Sequence, residues 1–231
     1  MRIILKFTIL TILPVLFLTP AFVAAQEKTD PGSAKEKKTD NTTKKTDSLT
    51  IDKIDEAAKQ TNKKTSPSNN DDGIEFPEIE GWDRGSIRTY PSAELGYSIG
   101  YQSEQGGAVT IYVYNGGLKS IPGDINDKAI KNEIDRAKNE IIQIGKMGIY
   151  EDVKEVKNDT VTLGGTAGKV KALRSLFYFK VKGDEVDSEI YLFSYNNNFI
   201  KIRSTRPKSE NGTENKVLTS FLAEIDKLFA K

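Results

Sequence analysis

Residues 188–205, SEIYLFSYNNNFIKIRST, constrain the fold more than any other stretch, because they read as two β-strands joined by a tight turn. Tyr191, Phe193 and Tyr195 alternate with Ile190, Leu192 and Ser194; after the asparagines, Ile200 and Ile202 alternate with Phe199, Lys201 and Arg203. A period of two is the signature of a strand. Asn196-Asn197 suits a two-residue type I′ turn, since asparagine tolerates the left-handed backbone required at both central positions. That turn sets Phe193 opposite Ile200 and Tyr191 opposite Ile202. A three-residue turn would instead bring the aromatics to the face of Lys201 and Arg203, because a slip of one residue swaps faces. With the two-residue turn both faces carry apolar side chains, so each needs a covering layer.

Two amphipathic stretches can supply those layers. Over 126–144, Ile130, Ile134, Ala137, Ile141 and Ile144 fall on one narrow stripe at helical period. Asp124 or Asn126 can cap its start, and Gly145 or Gly148 can end it. Over 214–229, Leu218, Phe221, Leu222, Ile225, Leu228 and Phe229 form a wider stripe. Asn211 with Glu214 fits a capping box there, or Thr213 caps instead. Short strands are expected at 86–90, 96–101 and 108–114, then at 149–155 and 160–163 around a turn at Asn158-Asp159. A long strand over 167–182 follows, with a bulge near Arg174-Ser175 where its apolar alternation is interrupted. The expected fold class is therefore α/β (α+β): an antiparallel sheet of about seven strands with two helices on opposite faces, an α/β/α sandwich.

Ahead of this sandwich the composition changes twice. Residues 1–25 read as a secretory signal peptide: Arg2 and Lys6 precede the apolar run 7–18, Pro20 breaks the helix, and Val23-Ala24-Ala25 is a cleavage site. The mature chain then starts at Gln26, secreted or periplasmic, with no integral membrane span. Residues 26–73 contain ten Lys and ten acidic residues among Thr, Ser, Asn and Gln, with Lys-Thr-Asp recurring irregularly. Such a stretch buries too little apolar surface to offset its ordering entropy, and reads as a disordered linker spanning roughly 35–40 Å. The remaining 158 residues, 74–231, suffice for a single globular domain. They carry 22 basic and 23 acidic residues, a balance that argues against nucleic acid as a partner.

The chemistry-bearing residues are sparse. With no histidine and no cysteine, side-chain triads, zinc sites and disulfides are excluded. Leu163–Lys169, LGGTAGK, mimics a phosphate loop, but Leu163 stands at its first glycine position and Val170 where Ser or Thr should hold magnesium; it reads as a hairpin turn. Glu75, Glu78, Glu80 and Asp83 cluster where the domain opens, and Glu78 and Glu80 share a face if that stretch is extended. Carboxylates can do acid–base work, but a charged domain edge is more simply solvated, and no calcium-loop spacing is present. Trp82 is the single tryptophan and is expected over an edge of the core. Tyr90, Tyr97, Tyr101, Tyr112 and Tyr114 lie on the first three strands, where they suit either a core rim or a binding surface. The candidate surface is thus Glu78, Glu80, Trp82, Tyr112 and Tyr114, with no cofactor and no metal expected. Asn41, Asn158 and Asn211 match the glycosylation sequon.

Gly81-Trp82, Arg88-Thr89-Tyr90-Pro91 and Gly96–Tyr101 near the start of the domain, with Tyr191-Leu192 and Phe199–Arg203 near its end, carry a family resemblance. The chain resembles PsbP-like and DcrB-like exported proteins, and still more a group of exported bacterial proteins of unassigned function. The resemblance covers most of 80–230 and implies an α/β/α sandwich with no catalytic residues to transfer. Gln102-Ser103 stands where better-known relatives carry Pro-x-Gly-Trp, so no photosystem-type role is implied. The functional expectation is an exported, non-enzymatic module that binds a protein or envelope polymer from the end of a spacer. The alternatives are a carboxylate-dependent envelope glycan hydrolase using the Glu75–Asp83 cluster, and a small-ligand carrier with a pocket between sheet and helix.

Overall fold

The Asn196-Asn197 turn forms as the alternation requires: both asparagines adopt positive φ, 45° and 60°, and Phe193 pairs with Ile200 and Tyr191 with Ile202. In this computed structural model, residues 73–208 and 216–230 are described. The signal peptide, the linker, the sequons at Asn41 and Asn211, and the second helix's proposed caps Asn211, Thr213 and Glu214 lie outside them.

Seven strands form one sheet: β1 (Trp82–Thr89), β2 (Tyr97–Ser103), β3 (Ala108–Tyr114), β4 (Glu151–Thr162), β5 (Lys171–Val181), β6 (Asp184–Tyr195) and β7 (Asn198–Pro207). Their order is β1-β2-β3-β7-β6-β5-β4, with every neighbouring pair antiparallel. Helix α1 (Lys128–Lys146) connects β3 to β4, and α2 (Lys216–Phe229) closes the chain.

The two helices cover opposite faces. Ile130, Ile134, Ala137 and Ile141 of α1 are buried with Phe177, Phe179, Ile190, Leu192 and Phe199. Leu218, Phe221, Leu222, Ile225 and Phe229 of α2 are buried with Ile99, Tyr101, Tyr191, Phe193, Ile200 and Ile202. Even-numbered residues of β6 thus serve one layer and odd-numbered residues the other, as strand alternation dictates. Ile74, Phe76 and Ile79 of the opening segment also sink into the α2 layer, and Pro77 O accepts a 2.9 Å bond from the Tyr101 hydroxyl.

Three local expectations are corrected. Asp127 caps α1 in place of Asp124 or Asn126, its carboxylate accepting from Ala129 N at 2.7 Å. The Asp124 carboxylate is spent on Asn126 N one turn earlier. Asn158-Asp159 is no turn but the middle of the continuous strand β4, because Asp159 receives a bidentate bond from Arg174 across the ladder at 2.8 and 2.7 Å. Nor does β5 bulge at Arg174-Ser175, which pair regularly with Tyr191 and Ile190. The apolar pattern breaks there by chemistry alone, as polar side chains fill regular positions. The bulges lie instead on the edge strands, in β4 on either side of Lys154-Glu155 and in β1 between Arg84 and Ile87. Bulges and charges on an exposed edge discourage unwanted strand pairing.

Candidate functional site

The candidate surface residues separate into two environments. Glu78 and Glu80 are exposed, and Arg84 Nε donates to Glu78 at 2.6 Å. Glu75 and Asp83 are also exposed. Alternation about the buried Ile79 does put Glu78 and Glu80 outward together, and both are exposed. Trp82, Tyr112 and Tyr114 are not surface residues, which corrects their candidacy. The Trp82 ring sits 4.7 Å from that of Phe221, in the α2 layer, because its odd partner in β2 (Ser103) shares the parity of Tyr101.

The five tyrosines of the first three strands divide between the faces. Tyr97 and Tyr101 belong to the α2 side, whereas Tyr90, Tyr112 and Tyr114 belong to the α1 side. On the α1 side the tyrosines meet the cations of β7. Lys201 Nζ lies 4.9 Å from the Tyr112 ring centre, 5.5 Å from that of Tyr114, and 3.5 Å from Glu140 Oε2 on α1. Burial pushes the Lys201 ammonium below its ordinary pKa, with Glu140 pulling the other way. Burial likewise raises the Tyr112 phenol to about 12. The Tyr114 hydroxyl donates to Glu133, whose carboxylate also takes two bonds from Arg136 at 2.9 and 2.6 Å. Arg203 Nη2 donates to the Tyr150 hydroxyl at 3.1 Å, and the Tyr150 ring stacks on Phe179 at 4.3 Å.

Next to this network the α1 face changes character. Its apolar layer takes buried residues from β3, β5, β6 and β7 and none from β1 or β2. On β2, the residues alternating away from Ile99 and Tyr101 are Ser98, Gly100 and Gln102. The floor of this half-sheet is therefore Ser98, Gly100, Thr110 and Tyr112, with Arg88 and Tyr90 at the β1 side and Lys201 and Arg203 at the other. Tyr90 Oη and Ser98 Oγ are 2.9 Å apart, and the Arg88 guanidinium stands 5.6 Å over the Tyr90 ring. Sequence reasoning weighed the tyrosines but missed Ser98, Gly100 and Arg203; a glycine within a strand was the one available signal.

A second ionic chain crosses the α2 side: Asp159, Arg174, Glu189, Arg206 and Asp187, with links of 2.7, 3.7, 2.6 and 3.5 Å. Each charge is met across neighbouring strands, and the Tyr191 hydroxyl completes Glu189 at 2.5 Å. This chain is a cross-strand ionic lattice in which Arg206 Nε, among the described residues, has no hydrogen-bond partner.

Leu163–Lys169 is a turn between β4 and β5, as read. The backbone N–H groups of Lys169 and Val170, which a phosphate would need, are bound at 2.9 and 2.7 Å by the buried carboxylate of Asp226 on α2. Among the described residues no group of three or more acidic side chains is placed to hold a metal ion, and no helix is long and apolar enough to cross a membrane. Among the described residues, one cleft of about 120 Å³ is lined by Ile74, Glu75 and Phe229 and another of about 80 Å³ by Trp82 and Arg206.

No family model matches the chain, and no curated protein matches it. It is similar to the crystal structure of CalU16 from Micromonospora echinospora at 11% identity, over 65% of this chain and 99% of that one, with a TM-score of 0.22. That likeness is too low to carry an argument.

Proposed function

We propose that the protein is an exported interaction module, without catalytic chemistry of its own, that binds a protein or envelope polymer through its surface. The observation that carries this reading is the setting of the acidic cluster. Glu75, Glu78, Glu80 and Asp83 are exposed, and Glu78 is ion-paired to Arg84. A glycosidase instead needs two carboxylates facing one bond from the walls of a cleft, one of them kept protonated by its surroundings. The carrier reading is disfavoured by size, since pockets for small ligands run from about 300 to 1,000 Å³. The signal peptide and the 26–73 spacer, read from composition, would place such a module outside the cytoplasm and away from its point of attachment. The resemblance to PsbP-like and DcrB-like proteins is compatible with this reading, because it transfers no catalytic residue.

The test is capture of envelope components by the mature chain, Gln26–Lys231, alongside the double variant Glu78→Gln, Glu80→Gln. A saturable partner retained equally by both proteins is expected. Turnover of peptidoglycan fragments that disappears in the double variant would replace this reading with the hydrolase.

A further inference from the structure

The two helices are held to the sheet by different means. On α2, Phe221 meets Trp82 and Tyr101 at 4.7 and 5.0 Å between ring centres, and Phe229 meets Phe193 and Tyr195 at 5.2 and 5.1 Å. The buried Asp226 carboxylate also pins α2 to the β4–β5 turn through Lys169 N and Val170 N. Helix α1 carries no aromatic residue, and the apolar side chains it buries are Ile130, Ile134, Ala137 and Ile141. Two of its ion pairs, Glu133–Arg136 and Asp135–Lys138, join residues of the helix itself and hold it to nothing else. Its polar ties to the sheet, among the described residues, are Glu133 to the Tyr114 hydroxyl, Lys138 to Glu155 at 2.9 Å and Glu140 to Lys201 at 3.5 Å.

The closed layer also encloses charge. Lys201 and Arg203 alternate onto the same face of β7 and are 3% and 8% exposed. Burial holds the Lys201 ammonium below its ordinary pKa, and the neighbouring Arg136 and Arg203 charges push the same way. Arg203 Nη2 has the Tyr150 hydroxyl, but its buried Nε has no partner among the described residues. Taking a charge out of water is unfavourable unless its partners are close and complete. Here the Lys201 carboxylate is distant and the Arg203 set is partial. The connections of α1 suit movement. Before it, Gly123 lies between Pro122, whose carbonyl Ser194 Oγ holds at 2.7 Å, and the Asp127 cap, with no atom within 4 Å of its Cβ position. After it, Gly148 has φ 75°, a region that glycine enters and leaves freely.

We propose that α1 is a movable layer: it lifts from the sheet between hinges at Gly123 and Gly148 while the sheet and α2 stay folded, driven by hydration of Lys201 and Arg203. The closed state keeps the apolar contacts of three isoleucines, and the open state returns two cations to water. Opening of one element below the free energy of global unfolding is drawn from the parts of a fold with the fewest buried apolar contacts. Lifting α1 bares Tyr112, Tyr114, Lys201 and Arg203, a face hidden in the closed molecule. This device goes beyond the interaction-module reading and stands whether or not that reading holds.

Because the chain has no cysteine, a single introduced thiol reports its own layer. Ala137→Cys probes the α1 layer and Ala172→Cys the α2 layer, both from alanines that are buried. Each variant of Gln26–Lys231 is labelled with methyl methanethiosulfonate at rising urea below the unfolding transition, and its rate is divided by that of the unfolded chain. Ala137→Cys is expected to react at least tenfold faster than Ala172→Cys, with a shallower urea dependence, because partial opening exposes less surface. Adding Lys201→Met to Ala137→Cys should slow its labelling at least fivefold, since no charge is left to hydrate. Adding Glu140→Gln, a half-exposed change, should speed it severalfold, since Lys201 loses its carboxylate. One rate and one urea dependence for both thiols would mean that α1 leaves only with the whole domain, and would overturn the device. Unchanged or faster labelling with Lys201→Met, or unchanged or slower labelling with Glu140→Gln, would overturn it equally.

Discussion

Tyrosine chemistry separates buried from solvated groups in this protein at the level of single residues. Of nine tyrosines, Tyr101, Tyr112, Tyr114 and Tyr191 have phenols raised by burial, Tyr112 to about 12. An unfolded phenol ionises near pH 10, so the folded state holds these protons more tightly than the unfolded one. Their contribution is whole below about pH 10 and is lost as pH rises through the folded values. Phenolate absorbance should therefore appear in two stages, with these four phenols ionising only as the protein unfolds. A single smooth transition for all nine, preceding loss of near-UV dichroism, would contradict the burial described. The strand positions of Tyr112 and Tyr114 were readable in the sequence. Their partners were not, because Glu133 and Lys201 stand 19 and more residues away and meet them only through the sheet and α1.

At the scale of elements, the β6–β7 turn does two things that a hairpin alone does not require. Asn197 Oδ1 accepts from Ile121 N at 2.7 Å, and its Nδ2 donates to Lys119 O at 3.2 Å, clamping the crossing segment onto the sheet. Asn196 has the same left-handed backbone with no such side-chain bond among those described. Asn196→Gly should thus be neutral or mildly stabilising, since glycine suits a type I′ turn. Asn197→Gly should cost about 1–2 kcal/mol despite its equally suitable backbone, because Ile121 N loses its acceptor. Urea midpoints of the two variants test this, and equal midpoints would refute it. The turn itself was legible because Asn-Asn between alternating runs is a local signal. Likewise Asp226 could not be seen as the clamp on Leu163–Lys169, since α2 approaches that loop from 56 residues away.

For the whole molecule, the question is where the cooperative unit begins. Ile74, Phe76 and Ile79 are buried without belonging to any strand or helix. A chain starting at Gly73 should melt with the mature protein, whereas one starting at Gly81 should lose of order 5 kcal/mol, at about 1.5–3 kcal/mol for each buried apolar side chain. Equal melting of all three would place the opening segment outside the folded unit. Leu222→Asp should abolish cooperative melting, because it sets an unpaired charge in the α2 layer.

The architecture was determined by the sequence itself wherever the signal is periodic and local. The two-sided hairpin demanded two layers, the Ile130 and Leu218 stripes supplied them, and the result is a seven-stranded antiparallel sheet between two helices. Tertiary structure alone decided what depends on groups brought together from afar. A cross-strand arginine, Arg174, holds the Asp159 carboxylate and keeps Asn158-Asp159, an apparent turn, within the strand. Sheet order set Gly100, Thr110 and Arg203 side by side from positions up to 103 residues apart. Periodicity reports which face a side chain takes, but strand order decides whose charge it meets there, and that charge is the chemistry on which binding rests.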